Sequence, residues 1–235
     1  MLKPTQKLVT LAHILSAATS AKDNYGRSRI QQKFLQKQRR LAFGPILAEA
    51  FLDLQGTPWA KEGLTKNSIL LTQDTPSEWG TSLSDPFIRY SFGRHTPPAV
   101  AVPGKNASPQ ASFPYLGPAG LFDLGKLLIE LALNKRLEDL YSKEDQKDGR
   151  ITQFTPLLAA QRLIETIYAK LGRRYGDAVR RCIYGLDVRE ADIEDSSFRR
   201  QFYRDVIVPL QETYNFLTQS DDVDSAPSTK TLRYA

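Results

Sequence analysis

Residues Thr57 to Leu71 read TPWAKEGLTKNSILL, a stretch that changes character twice within its length. Gly56, Thr57 and Pro58 stop a preceding helix, because glycine accepts the left-handed turn that closes a helix and proline cannot continue one. Ser68 to Thr72 has the apolar, bounded pattern of a strand, with Ile69, Leu70 and Leu71 in succession. Between the two lies a polar loop holding one leucine, Leu64. The predicted order is therefore helix, loop pinned by a single apolar side chain, then strand.

Upstream, Leu8 to Ala18 carries apolar groups at helical spacing and is read as a short helix, with His13 a partly buried member of it. Arg29 to Leu54 is read as a longer helix whose apolar stripe is Ile46, Leu47, Ala50, Phe51 and Leu54. Gly44 and Pro45 interrupt that pattern and predict a kink or break. Downstream, Phe87 to Phe92 alternates Ile88, Tyr90 and Phe92 against Arg89 and Ser91. It forms the second strand of a small hairpin across the insert Asp74 to Asp85, too small to stand without the helices beneath it.

Six prolines between Gly93 and Pro118 mark a long exposed loop without periodicity of its own. Gly120 to Asn134, GLFDLGKLLIELALN, is apolar nearly all round, densest at Leu121, Leu124, Leu127, Leu128 and Leu131, which places it at the centre of the core. Helices follow over Pro156 to Leu171, Tyr175 to Tyr184 and Ser196 to Leu217. Pro209 bends or splits the last, whose inward contacts are Phe198, Phe202, Ile207, Leu210 and Tyr214. The expected organisation is one mainly α domain over 1–217 with a small β-hairpin, followed by a polar, disordered tail over 218–235.

The 235 residues are 41% apolar and 25% charged, enough for one well-buried core. Cys182 is the single cysteine, which excludes an intrachain disulfide and a zinc-thiolate cluster and favours a reducing, intracellular compartment, cytoplasmic or nuclear. No segment has the length of a membrane span. The net charge of +6 and a pI of about 9.3 lean toward acidic partners, but the basic residues are spread along the chain, which disfavours nucleic acid.

The quoted loop resembles the protein-kinase catalytic loop, H-R-D-L-K-P-S-N-I-L-L, with Leu64 and Ile69 to Leu71 in register. Likewise, QRRLAFGPILAEAFLDLQGTPW resembles the helix ahead of that loop, and FDLGKLLIELALNKRLEDL resembles the buried helix of the larger kinase lobe. The likeness is closer still to a family of filamentous-fungal domains of unknown function, often joined to an N-terminal helical domain of the prion-forming incompatibility type. Its marks here are GTPW, the Tyr90 to Gly93 step, the buried LGKLLIELALNKRLEDL helix, and RRYGDAVRRCIYG followed by FRRQFYRDVIVPLQE. These resemblances imply a helical C-lobe-like fold, with the nucleotide-clamping N-lobe absent, since no Gly-rich nucleotide loop precedes the long helix.

The same alignment puts Gly63 where a kinase has its catalytic aspartate. Ser68 falls at the metal-binding asparagine and Ser91 at the metal-binding aspartate. Glycine accepts no proton and the serines carry no charge for magnesium, so the resemblance implies no catalytic residue, cofactor or metal. The expected function is a noncatalytic, pseudokinase-like module that binds another protein, in a setting of fungal signalling or self-recognition that comes only from the resemblance. A nucleotide-dependent phosphotransferase completed by a missing lobe or partner chain is the alternative, and nucleic-acid binding through basic surface a third reading.

The candidate partner-binding residues are Trp79, an aromatic in the polar insert, and Arg173, Arg174, Arg180 and Arg181. For the last four, a solvated helix face is the default reading. Trp59 is read as a plug of the core, and Cys182, between Val179 and Ile183, as packing rather than a nucleophile. Glu190, Asp192, Glu194 and Asp195 are read as solvated or capping acids, and neither Asp74, Asp85 nor Asp123 has a second carboxylate with which to share a pocket.

Overall fold

The computed structural model describes residues 7–19, 37–55, 57, 64–73, 86–89, 120–186 and 196–224. In chain order these form β1 (Lys7–Thr10), α1 (Leu11–Thr19), α2 (Lys37–Leu54), β2 (Ile69–Gln73), β3 (Phe87–Ile88) and α3 (Leu121–Leu133). Two short 3-10 turns, Leu137–Leu140 and Lys143–Asp145, lead to α4 (Thr155–Tyr184), α5 (Ser196–Phe202), a π-turn over Tyr203–Ile207, and α6 (Val208–Asp224). The described residues are mainly helical, with one three-stranded antiparallel sheet ordered β1-β2-β3. Among the described residues no helix is long and apolar enough to cross a membrane.

The core is built on α3. Leu121, Leu124, Leu128, Ile129 and Leu131 are fully buried along it, and Leu127 nearly so, as an all-round apolar helix requires. Gly120 precedes it at φ 86° and Asn134 closes it at φ 54°, both left-handed, a conformation glycine adopts without cost and asparagine tolerates. Side chains from two neighbours reach its carbonyl groups: Arg40 Nε donates to Leu131 O at 3.0 Å and the Tyr175 hydroxyl to Leu128 O at 2.9 Å. Burial pushes the Tyr175 hydroxyl up, so it stays protonated and keeps donating.

Helix α4 approaches α3 closely because position 125 is glycine. A Cβ there would lie 2.6 Å from Ile183 Cδ1 and 3.1 Å from Cys182 Cβ. Cys182 is fully buried in this seam, where burial raises its thiol pKa and leaves it unreactive. Helix α4 itself breaks at Gly172 (φ 81°, ψ −178°), a backbone conformation open essentially to glycine alone. The two helices predicted on either side of that point are thus both present.

Several expectations need correction. Leu8 to Thr10 is strand rather than helix: β1 pairs with β2 from Lys7 opposite Gln73 to Thr10 opposite Leu70, so the predicted hairpin is part of a larger sheet. The helix begins only at Leu11, and His13 on it is exposed. In α2, Pro45 sits inside a helix that continues without a break. Ile46 points outward at 39% exposure, while Leu41, Leu47, Ala48, Phe51 and Leu52 turn inward. The irregularity expected at Pro209 takes the form of the π-turn just before it. Helix α6 runs to Asp224, past the expected end at Leu217, and 225–235 lie outside the described residues. So do 29–36, the insert 74–85, Tyr90 to Phe92 and the proline-rich loop.

Candidate functional site

Leu64 to Ser68 forms a tight turn facing the middle of α3. Leu64 is 3% exposed, and Ile69 and Leu71 just beyond it are buried, so the apolar positions of the loop anchor it to the core. Polar groups close the turn on itself. Thr65 N donates to Ser68 Oγ at 3.0 Å, Ser68 Oγ donates to Thr65 O at 2.8 Å, and Ser68 N donates to Thr65 O at 3.0 Å. The carbonyl of Lys66 accepts from Ala12 N at 3.0 Å, which ties the turn to α1.

The Lys66 side chain drops from this turn onto α3. Its Nζ lies 2.6 Å from Glu130 Oε1 and 2.6 Å from Glu138 Oε2. Glu130 Oε1 also accepts the Leu137 N–H at 2.8 Å, so one buried carboxylate holds both the turn and the start of the following 3-10 segment. The Glu130 side chain is 3% exposed and that of Lys66 18%, which shields their attraction from solvent.

Titration follows this burial. Burial raises Glu130, and the opposing Lys66 charge and Leu137 N–H do not cancel it. Burial also works against the Lys66 ammonium, but the carboxylates of Glu130 and Glu138 outweigh it and raise its pKa. Burial, then the neighbouring Glu138, Glu130 and Asp145 carboxylates, push Tyr141 up to about 12. Asp145 is held low by the Arg162 guanidinium, which reaches its two oxygens at 3.0 and 2.7 Å and also donates to Leu140 O at 2.8 Å.

Between the turn, α3 and the 3-10 segment lies a pocket of about 190 Å³, lined by Leu64, Lys66, Lys126, Glu130, Glu138 and Tyr141 among others. Ligand pockets commonly occupy ~300–1,000 Å³, so this one is small by comparison. Its ammonium groups are engaged with carboxylates, Lys66 as above and Lys126 with Asp123 at 2.6 Å.

The sequence did not single out Lys66, Glu130, Glu138 or Tyr141. One signal was available: Glu130 is an isolated acid inside LLIELAL, and a carboxylate in such a helix must find a cationic partner. Its partner lies 64 residues away and could not be named from pattern alone.

Of the residues that were singled out, Gly63, Ser91, Trp59, Trp79, Asp74, Asp85 and the acids from Glu190 to Asp195 lie outside the described residues. Arg173 and Arg174 stand exposed just after Gly172 and pair with acids, Arg173 Nε with Asp177 at 3.4 Å and Arg174 Nε with Glu212 at 3.0 Å. Arg180 lies farther along α4, its guanidinium 5.8 Å from the Tyr184 ring centroid, with Arg181 beside it. The arginines thus occupy two places on α4, and neither adjoins the pocket.

Fold and site together define a mainly helical domain in which a short turn is clamped to a buried central helix by a shielded ion pair. Residues 2–216 match the model of a domain of unknown function (DUF7580), and the chain belongs to that family. No curated protein and no solved structure matches the chain.

Proposed function

We propose that this chain is a noncatalytic module, similar in plan to the larger lobe of a protein kinase, whose work is to bind another protein. The observation that carries the reading is the turn from Leu64 to Ser68. Of the residues that match the packing positions of a kinase catalytic loop, Leu64, Ile69 and Leu71 are buried and Leu70 is half-buried. The residue at the metal-binding asparagine position, Ser68, spends its hydroxyl on Thr65. Lys66 is committed to Glu130 and Glu138.

The element order supports the same reading, with helix α2, the turn, the β2–β3 hairpin, the buried α3 and further helices following one another as in that lobe. The candidate contact surfaces are Trp79 and the arginines of α4, and the domain spans 1–217. A role in fungal signalling or self-recognition, inside the cell, follows from the sequence likeness and the lone Cys182.

Incubation with γ-labelled ATP, magnesium and a generic protein acceptor tests the noncatalytic part. Phosphoryl transfer needs a positioned base and metal-bound phosphates, so no label above a protein-free control is expected in the acceptor or in the chain itself. Transfer that depends on the chain would instead favour the phosphotransferase alternative.

A further inference from the structure

The pocket beside Lys66 is walled by the turn, α3, the 3-10 segment that follows it and Pro156 at the start of α4, all of them described residues. Leu64, Leu127, Leu137 and Pro156 give it apolar surface, while Glu130, Glu138 and Tyr141 bring oxygen atoms to it. Its own ammonium groups are committed. Lys66 Nζ reaches Glu130 Oε1 at 2.6 Å and the two oxygens of Glu138 at 2.8 and 2.6 Å, and Lys126 reaches Asp123 at 2.6 Å. An anion entering the pocket would have to displace a carboxylate from one of them.

Acceptors, by contrast, are left over. Glu130 is 2% exposed, and its Oε1 takes both the Lys66 ammonium and the Leu137 N–H. Among the described residues no donor reaches Glu130 Oε2, and the Tyr141 hydroxyl has no hydrogen-bond partner. A carboxylate oxygen withdrawn from bulk water carries a desolvation cost that a donor offsets. Within the lining, Asp123 and Lys126 offset each other, so Glu130 and Glu138 share one cation and one negative charge is left over. The arginines that touch the 3-10 segments, Arg136 and Arg162, are held by Asp139 and Asp145.

We infer that this pocket binds a primary ammonium group carried on a short alkyl stem. The oxygens such a group would meet are Glu130 Oε2, the Glu138 carboxylate, which has lone pairs beyond those Lys66 uses, and the Tyr141 hydroxyl. The stem would lie on the leucines, and the small volume of the pocket suits a short one. A free alkylamine and the lysine side chain of a partner protein both supply this chemistry. The inference goes beyond the noncatalytic reading and does not rest on it, because phosphoryl transfer plays no part in it.

Ligand-observed saturation-transfer NMR on the whole chain, with n-butylammonium chloride and separately with a capped lysine tripeptide, tests the assignment. Saturable binding that weakens as sodium chloride is raised is expected of at least one of them, and the tighter names the source. 1-Butanol, with the stem and no charge, should bind about tenfold more weakly or less. Tyr141→Phe removes a hydroxyl for which no partner is described, so it should weaken binding about threefold and leave the melting midpoint unchanged. Glu138→Gln should weaken it about tenfold, and Glu130→Gln should abolish it. Asp53→Asn, which alters a 77% exposed carboxylate on α2 outside the pocket, should leave binding within about twofold.

Absence of binding by both amines overturns the assignment, as does equal binding of 1-butanol or displacement of the amine by inorganic phosphate. Should Glu130→Gln fail to fold, Tyr141→Phe and Glu138→Gln still decide: binding by both at the strength of the parent chain overturns it. None of these results bears on label transfer from ATP, so the two readings fail or stand separately.

Discussion

Lys66→Met destabilises the domain by about 3 kcal/mol, the lower end of the range for breaking one side of a buried ion pair. Methionine preserves the length and most of the apolar stem of lysine, so the loss falls on charge. Glu130, with its side chain 3% exposed, is left ionised beside apolar neighbours, with the Leu137 N–H as the remaining donor described for it. Adding Glu130→Gln should recover most of the loss, because glutamine still accepts from Leu137 and carries no charge to bury.

The pH dependence has a definite sign. Burial places the folded-state pKa of Glu130 above its ordinary 4.5, so the folded chain holds that proton more tightly than the unfolded one. The penalty for ionised Glu130 is complete above the raised folded value and vanishes as pH falls to the ordinary one. Urea denaturation of Lys66→Met against the parent chain should therefore show a deficit that shrinks as pH falls through that window. A deficit that grows toward acid would contradict the role given to Glu130.

Phe202→Ala costs about 4 kcal/mol, within the usual span for deleting a fully buried phenylalanine. Phe202 is wholly inaccessible, with its ring centroid 5.2 Å from that of Phe51 on α2 and 5.9 Å from that of Phe198 on α5. It stands where α5 gives way to the π-turn, so its removal opens a cavity between the C-terminal helices and α2. For a chain of this size the melting midpoint should fall by roughly 8–16 °C. The denaturant dependence should keep its slope, since the surface exposed on unfolding is little changed. A fall of a degree or two would mean that the C-terminal helices do not share a core with α2.

How much of this was legible in the sequence depends on how local the cause was. Helix α3 could be read nearly to its ends because its apolar run is long and the residues at its two ends, Gly120 and Asn134, accept left-handed backbone. The division of α4 could be read from Gly172 in the same way. Strand β1 could not: Leu8, Val9 and Thr10 fit helical spacing as well as strand, and pairing with β2, some sixty residues on, decides the matter.

Pro45 was a strong local signal overruled by packing. The adjoining Gly44 lies in the core, where a Cβ would sit 3.5 Å from Leu128 Cδ2 and 3.7 Å from Leu210 Cδ2. Leu128 of α3 and Leu210 of α6 thus pack on α2 beside the proline, and the helix continues past it. In the pocket, Glu130 was visible as an anomaly within an apolar helix, whereas Lys66 and Glu138 acquire their role only when the chain folds.

On the proposed reading, the turn from Leu64 to Ser68 has the shape of a phosphotransferase loop and none of its hold on nucleotide. A thermal-shift titration with ATP and magnesium addresses it directly, because any ligand bound by the folded state raises its midpoint by mass action. The account predicts a midpoint that stays constant to millimolar nucleotide. A saturable rise that requires magnesium would contradict it.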